Sequence, residues 1–125
     1  MNKMSIKKTI LYVDDEPINL MVFKSIFENN FNIITGISAL EGLEKLNQFP
    51  EIQIVFSDMK MPDMNGIEFI TQAKKKYRDK TYFLITGYSI TQEIADALNK
   101  KIIAKYFSKP FDINKIESAI SEIFR

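Results

Sequence analysis

Ile10-Leu11-Tyr12-Val13-Asp14-Asp15-Glu16-Pro17 is an apolar run that stops in three acids and a proline. Its apolar residues are consecutive, not alternating, which is the pattern of a strand covered by other elements on both faces. Pro17 suits the first turn of a helix, where its missing N–H is no loss. The helix that follows carries Leu20, Phe23 and Phe27 on one stripe.

This strand-then-helix unit recurs along the chain. Ile33-Ile34-Thr35, Ile54-Val55-Phe56-Ser57, Tyr82-Phe83-Leu84-Ile85 and Tyr106-Phe107-Ser108 read as four more strands. Between them lie segments with an apolar period of about 3.6 residues. Ser38 to Glu41, Asn65 to Glu68 and Ser89 to Gln92 match or approximate capping boxes and so mark three helix starts. Asp112 caps a last helix, with Ile113, Ile116, Ile120 and Ile123 expected inward. Alternating strands and helices with short connections predict an α/β domain: a doubly wound, five-stranded parallel sheet with five helices. In such a sheet the reactive groups belong at the carboxyl ends of the strands.

Composition narrows the chemistry. With 125 residues, 46% hydrophobic and 26% charged, residues 1–125 are expected to form one domain without a long disordered tail. Cysteine and histidine are both absent, which removes disulfides, thiolate and imidazole metal sites, and every Ser-His or Cys-His nucleophile. Seventeen basic and sixteen acidic residues give a net charge of +1, which offers no electrostatic reason to bind nucleic acid or an anionic membrane. Met1 to Lys8 is polar, and no stretch has the length of a membrane span, so a soluble, cytoplasmic protein is expected. The glycines form neither GxGxxG nor a P-loop.

The polar residues at the strand ends are of one kind. The first run ends in Asp14-Asp15, the third in Asp58, the fourth in Thr86 and the fifth in Lys109-Pro110. Folded as above, three carboxylates, a hydroxyl and an ammonium converge on one sheet edge. Clustered carboxylates repel and are costly near a low-dielectric edge unless a cation compensates them. Mg²⁺, which takes a few carboxylate or carbonyl oxygens together with waters and phosphate oxygens, meets that need. Lys109 and Thr86 supply a charge and a donor for a phosphoryl anion, and an aspartate can act as nucleophile towards it. Single acids here would be explained as helix caps, and the Met59, Met61 and Met64 group as packing around a loop. Lys74, Lys75, Lys76, Arg78 and Lys80 read as a solvated basic face.

Together with Ser57-Asp58-Met59-Lys60-Met61-Pro62-Asp63-Met64-Asn65-Gly66, Thr86-Gly87 and Tyr106-Phe107-Ser108-Lys109-Pro110-Phe111, the opening stretch resembles the receiver domains of bacterial response regulators, chemotaxis regulators among them. The resemblance spans nearly the whole chain. It implies a flavodoxin-like strand order 2-1-3-4-5. It implies Asp58 as phosphoacceptor and Asp14, Asp15, Asp58 and the Lys60 carbonyl around Mg²⁺, with Asp15 bound directly and Asp14 mainly through water. It implies that Lys109 and Thr86 bind phosphoryl oxygens, that Tyr106 is an aromatic switch moving with Thr86, and that a cis bond precedes Pro110. Lys60 and Tyr88 would border the path of an attacking water. The implied partners are a sensor histidine kinase or histidine phosphotransfer protein, and a downstream target on the face made by the fourth helix, fifth strand and fifth helix. The implied chemistry is the domain's own phosphorylation and dephosphorylation.

One region departs from the family pattern. Ile102-Ile103 stand where Gly-Ala is usual, so the loop after the fourth helix is expected to be unusual, with Asn99 taking a left-handed cap. Two other functions compete. A Mg²⁺-dependent Asp-nucleophile phosphohydrolase of the haloacid-dehalogenase kind would end its first strand in Asp-x-Asp-x-Thr, whereas this one ends in Asp-Asp-Glu-Pro. A flavodoxin-like flavin binder would need a Ser/Thr/Gly phosphate loop where the acids sit.

Overall fold

The computed structural model describes residues 7–87 and 89–124. The elements run β1 (Lys8–Val13), α1 (Pro17–Phe27), β2 (Phe31–Gly36), α2 (Ala39–Gln48), β3 (Ile52–Asp58), α3 (Gly66–Lys76), β4 (Thr81–Thr86), α4 (Gln92–Asn99), β5 (Lys105–Ser108) and α5 (Ile113–Phe124). All strand pairs are parallel, in the order β2-β1-β3-β4-β5. The alternating pattern therefore gives the expected doubly wound sheet. No described helix is long and apolar enough to cross a membrane.

Side chains of a strand point to alternate faces, so each central strand feeds two cores. Ile10 and Tyr12 of β1 pack with Ile54, Phe56, Phe83, Ile85 and Phe107 beneath α1 and α5. Leu11 and Val13 pack with Val55, Tyr82 and Leu84 beneath α2, α3 and α4. The consecutive apolar runs are thus two interleaved alternations, one per face. One register break interrupts them. Thr9 pairs with Ile52 but Ile10 with Ile54, which leaves Gln53 as the extra, exposed residue and lets Ile52 and Val55 share a face.

Local signals set the helix starts. Asn65 and Glu68 form a complete capping box at α3, and Pro17 occupies the first turn of α1. Ser38 caps α2 through the Glu41 N–H, while the Glu41 carboxylate accepts from Ile37 and not from Ser38 itself. At α4 the expectation of a start at Ser89 is wrong. Thr91 is the cap, accepting from the Ile94 N–H, because the buried face begins only at Ile94 and Ala97, and Ile90 is exposed. In α5 the inward stripe is Ile116, Ala119 and Ile120. Ile113 and Ile123, expected inward, are each 42% exposed on its flanks, since only the middle turns face the sheet.

The end of α4 corrects a second expectation. Asn99 is the last helical residue, and the left-handed one is Lys101, at φ 60°. The Lys101 N–H bonds the Leu98 carbonyl and the Ile102 N–H bonds the Ala97 carbonyl, which together make a Schellman ending. The position is fixed by where Ile102 and Ile103 must pack, and those residues lie against the α2–α4 core. A side chain in this conformation costs about 1–2 kcal/mol. Lys101→Gly should therefore raise the unfolding free energy by about 0.5–1 kcal/mol, read as a later urea midpoint with an unchanged m-value.

Candidate functional site

The strand order makes β1 and β3 neighbours at the centre of the sheet, so the acids that end them are brought side by side. Asp14 directly follows β1, held by its N–H on the Gly36 carbonyl at 3.1 Å. Asp58 is the last residue of β3, and the chain beyond it is pinned: the Met59 N–H bonds Ile85 at 2.8 Å and the Gly66 N–H bonds Met59 at 2.7 Å. Gly66 is obligatory here, because a Cβ would lie 2.4 Å from the Asp58 carbonyl oxygen and 2.7 Å from Leu84. Lys109 follows β5, its N–H on the Thr86 carbonyl at 2.9 Å, and the Lys109–Pro110 peptide is cis.

Carboxylate oxygens of Asp14, Asp15 and Asp58 lie within 4.8 Å of one another, and this is the one such acidic group among the described residues. Lys109 Nζ reaches Asp58 Oδ1 at 2.9 Å and Asp14 Oδ2 at 3.5 Å. Asp14 is fully buried and Asp58 nearly so, whereas Asp15 is half-buried. Burial, reinforced by the charges of Asp14 and Asp15, outweighs the Lys109 hydrogen bond and pushes the Asp58 carboxyl up to about 6. For Lys109, burial alone would depress the ammonium, but its bond to Asp58 and the charges of Asp58 and Asp14 raise it. The two shifts describe one imbalance: more negative charge than a single lysine compensates.

A cleft of about 580 Å³ opens over this group, lined by Asp15, Glu16, Asp58, Lys60, Met61, Pro62, Gly87 and Lys109. Its donors are hard oxygens with no imidazole or thiolate near, which suits a small divalent cation such as Mg²⁺. Thr86 is buried at the end of β4 and borders an adjoining cavity of about 350 Å³ with Met59, Lys60, Asn65, Thr91, Glu93 and Ile94. Across that cavity Asn65 Nδ2 donates to Glu93 at 3.2 Å, linking the starts of α3 and α4. Tyr106 is half-buried on β5, packed against the α2–α4 core. Tyr88 lies outside the described residues. Met61 is buried, and Met59 and Met64 pack against the same core, as loop packing requires.

Three residues gain roles that the sequence did not single out. Tyr12, read only as core, donates its hydroxyl to Asp14, and Asn19 Nδ2 donates to the same oxygen at 3.1 Å. Burial and then the Asp14 carboxylate push the Tyr12 hydroxyl far above the ordinary range, so it remains a donor. The two-residue strand period was the available signal, since it puts positions 12 and 14 on one face. Asp63 accepts from the N–H groups of Ala39 at 3.4 Å and Leu40 at 3.1 Å, tying the β3–α3 loop to the start of α2. Burial works against it, but these backbone bonds hold its carboxyl below the usual range.

This fold and site have counterparts among known proteins. The family model described as the response regulator receiver domain matches residues 10–121. The hydrogenase transcriptional regulatory protein HoxA of Bradyrhizobium diazoefficiens is 28% identical over 119 residues, covering 95% of this chain and 24% of that protein. The chain thus spans about a quarter of the length of that relative. A chemotaxis protein CheY homolog of Campylobacter jejuni is 24% identical over 118 residues, covering 91% of this chain and 90% of the other. A CheY-like response regulator receiver domain protein from Methanospirillum hungatei superposes with a TM-score of 0.84 at 29% identity, covering 94% of this chain and 93% of that one. The chain belongs to the response regulator receiver domain family, the phosphoacceptor modules of two-component signalling.

Proposed function

We propose that Asp58 is the residue that receives the phosphoryl group, in a reaction that needs Mg²⁺, and that residues 1–125 act as one receiver domain. The observation that carries this is the juxtaposition of Asp58 with Lys109 at 2.9 Å and with the Asp14 and Asp15 carboxylates within 4.8 Å. Asp15, Asp58 and the Lys60 carbonyl are the groups that would hold the ion, with Asp14 adding charge from behind. A bound Mg²⁺ would neutralise charge on the transferring group.

The chain's own residues do the rest. Lys109 holds Asp58 Oδ1, which leaves the other oxygen to attack phosphorus; the Asp58 oxygen–phosphorus bond forms as the donor's bond to phosphorus breaks. Lys109 then turns to a phosphoryl oxygen, and the Thr86 hydroxyl moves to another. That shift opens room on the β4–β5 side for Tyr106 to follow, and so carries the signal to the α4, β5 and α5 face. Exposed Ile90, two residues before α4, and Ile113, which opens α5, would offer a target protein apolar contact. The donor is a sensor histidine kinase or a histidine phosphotransfer protein. The domain binds neither nucleic acid nor membrane directly and works in the cytoplasm, where a nucleotide-dependent kinase is supplied. Dephosphorylation by water is the other reaction it catalyses on itself. The phosphohydrolase reading gains no support from the family matched.

Incubation with a small-molecule phosphodonor and Mg²⁺ should add one phosphoryl group, detected by intact mass, and Asp58→Asn or a chelator should abolish it. Unchanged labelling of Asp58→Asn overturns the assignment. Calorimetric titration should show Mg²⁺ affinity falling at least about tenfold in Asp15→Asn and much less in Thr86→Ala, since only the first removes an anionic ligand.

Stability gives an independent measure of the crowding. A folded-state value near 6 against 3.8 means that the folded protein binds the Asp58 proton more tightly than the unfolded chain does. Ionising Asp58 therefore costs stability, a cost absent below about pH 4, growing between pH 4 and 6 and complete above that. Asp58→Asn removes the cost and leaves Lys109 beside Asp14. In chelator at pH 8 it should stabilise the protein by about 1–2 kcal/mol, with the gain shrinking towards pH 4.5, as read from urea unfolding.

A further inference from the structure

Asp14 is surrounded by donors to an unusual degree. Its Oδ2 accepts from the Tyr12 hydroxyl and from Asn19 Nδ2 at 3.1 Å and faces Lys109 Nζ at 3.5 Å. Its Oδ1 accepts from the Glu16 N–H at 3.0 Å. A carboxylate offers about four lone-pair sites, about two on each oxygen, so Oδ2 is filled and Oδ1 has one direction left. The Tyr12 donor cannot swing aside. Its ring is fully buried, stacked on Phe23 at 4.5 Å and meeting Phe111 edge-on at 5.9 Å.

We infer that the Tyr12 hydroxyl is a positioning group that closes Asp14 Oδ2 to a metal ion and thereby makes this site favour Mg²⁺ over Ca²⁺. The inference rests on the reading of Asp14, Asp15 and Asp58 as a Mg²⁺ site and adds a cause for its selectivity. Mg²⁺ keeps several waters and takes only one or two carboxylates, so it loses little when Asp14 is occupied. Ca²⁺ accepts about six to eight oxygens in a flexible shell and gains from every further carboxylate. A carboxylate with one oxygen already filled by protein donors is one that Ca²⁺ cannot take through both oxygens.

Tyr12→Phe keeps the ring and its packing and deletes only the donor, while Asn19 and the Glu16 N–H still orient Asp14. Calorimetric titration of each ion separately into the parent and this variant should show Ca²⁺ affinity rising about fivefold and Mg²⁺ affinity changing less than about twofold. Adding Asp14→Asn to Tyr12→Phe should erase the gain. Asn19→Ala, which removes a second donor from the same oxygen without touching the core, should shift Ca²⁺ affinity in the same direction and keeps the test open if Tyr12→Phe folds poorly. Equal shifts for the two ions, no shift, a loss of Ca²⁺ affinity, or a gain that survives in the double variant would each overturn the role of Tyr12. A parent protein that binds no Mg²⁺ would instead overturn the phosphoacceptor reading, and this inference with it.

Discussion

Three carboxylates meet at one edge of the sheet, and the Lys109 ammonium reaches two of them. Like charges at such distances repel strongly unless something compensates them, and Lys109 compensates only part. Placing these groups together takes most of the architecture. The parallel order puts β1 beside β3, each crossover returns the chain to the same edge, and backbone bonds from Gly36, Ile85 and Thr86 fix the first residues beyond each strand. What is stored at the edge is a standing preference for added positive charge.

A preference of this kind survives only on a stiff base, and the two cores differ in what they offer. Beneath α1 and α5 the packing is aromatic: Phe23 contacts Tyr12, Phe27, Phe56 and Phe111, while Phe83 joins Phe56 to Phe107. Planar rings with few rotamers make a floor that holds Asp14 in place. Beneath α2, α3 and α4 the core is largely aliphatic and adjoins the cavity beside Thr86, with half-buried Tyr106 at its margin. Rigidity and spare volume lie on opposite faces of one sheet.

The parallel sheet and the meeting of Asp14, Asp15, Asp58 and Lys109 were legible because they follow from period and from polar residues ending apolar runs, whereas the strand order came from the resemblance to receiver domains. The misplaced features share a different cause. Ser89 and Asn99 were chosen by residue preference, yet the limits of α4 are set by which apolar side chains reach the core: Ile94 at one end, Ile102 and Ile103 at the other. Tertiary packing outweighed a cap worth about 1 kcal/mol, and even drove Lys101 into a left-handed conformation. Ile113 and Ile123 fit the helical period but lie at the flanks, which a single helix's pattern does not reveal. The hydrogen bonds of Tyr12 and Asp63 escaped because each depends on a side chain meeting a partner in three dimensions, where residue type alone suggested core and turn.

The Asp63 contact gives the β3–α3 loop a second anchorage. Its carboxylate accepts from two N–H groups that open α2, groups that a helix cannot satisfy internally. The loop and the helix start therefore complete one another, and neither is a self-contained module. Grafting the 59–65 segment from a relative without a carboxylate at this position would strip α2 of two acceptors as well as altering the cleft. Chimaeras that swap this loop would have to carry the Ile37–Glu41 turn along with it.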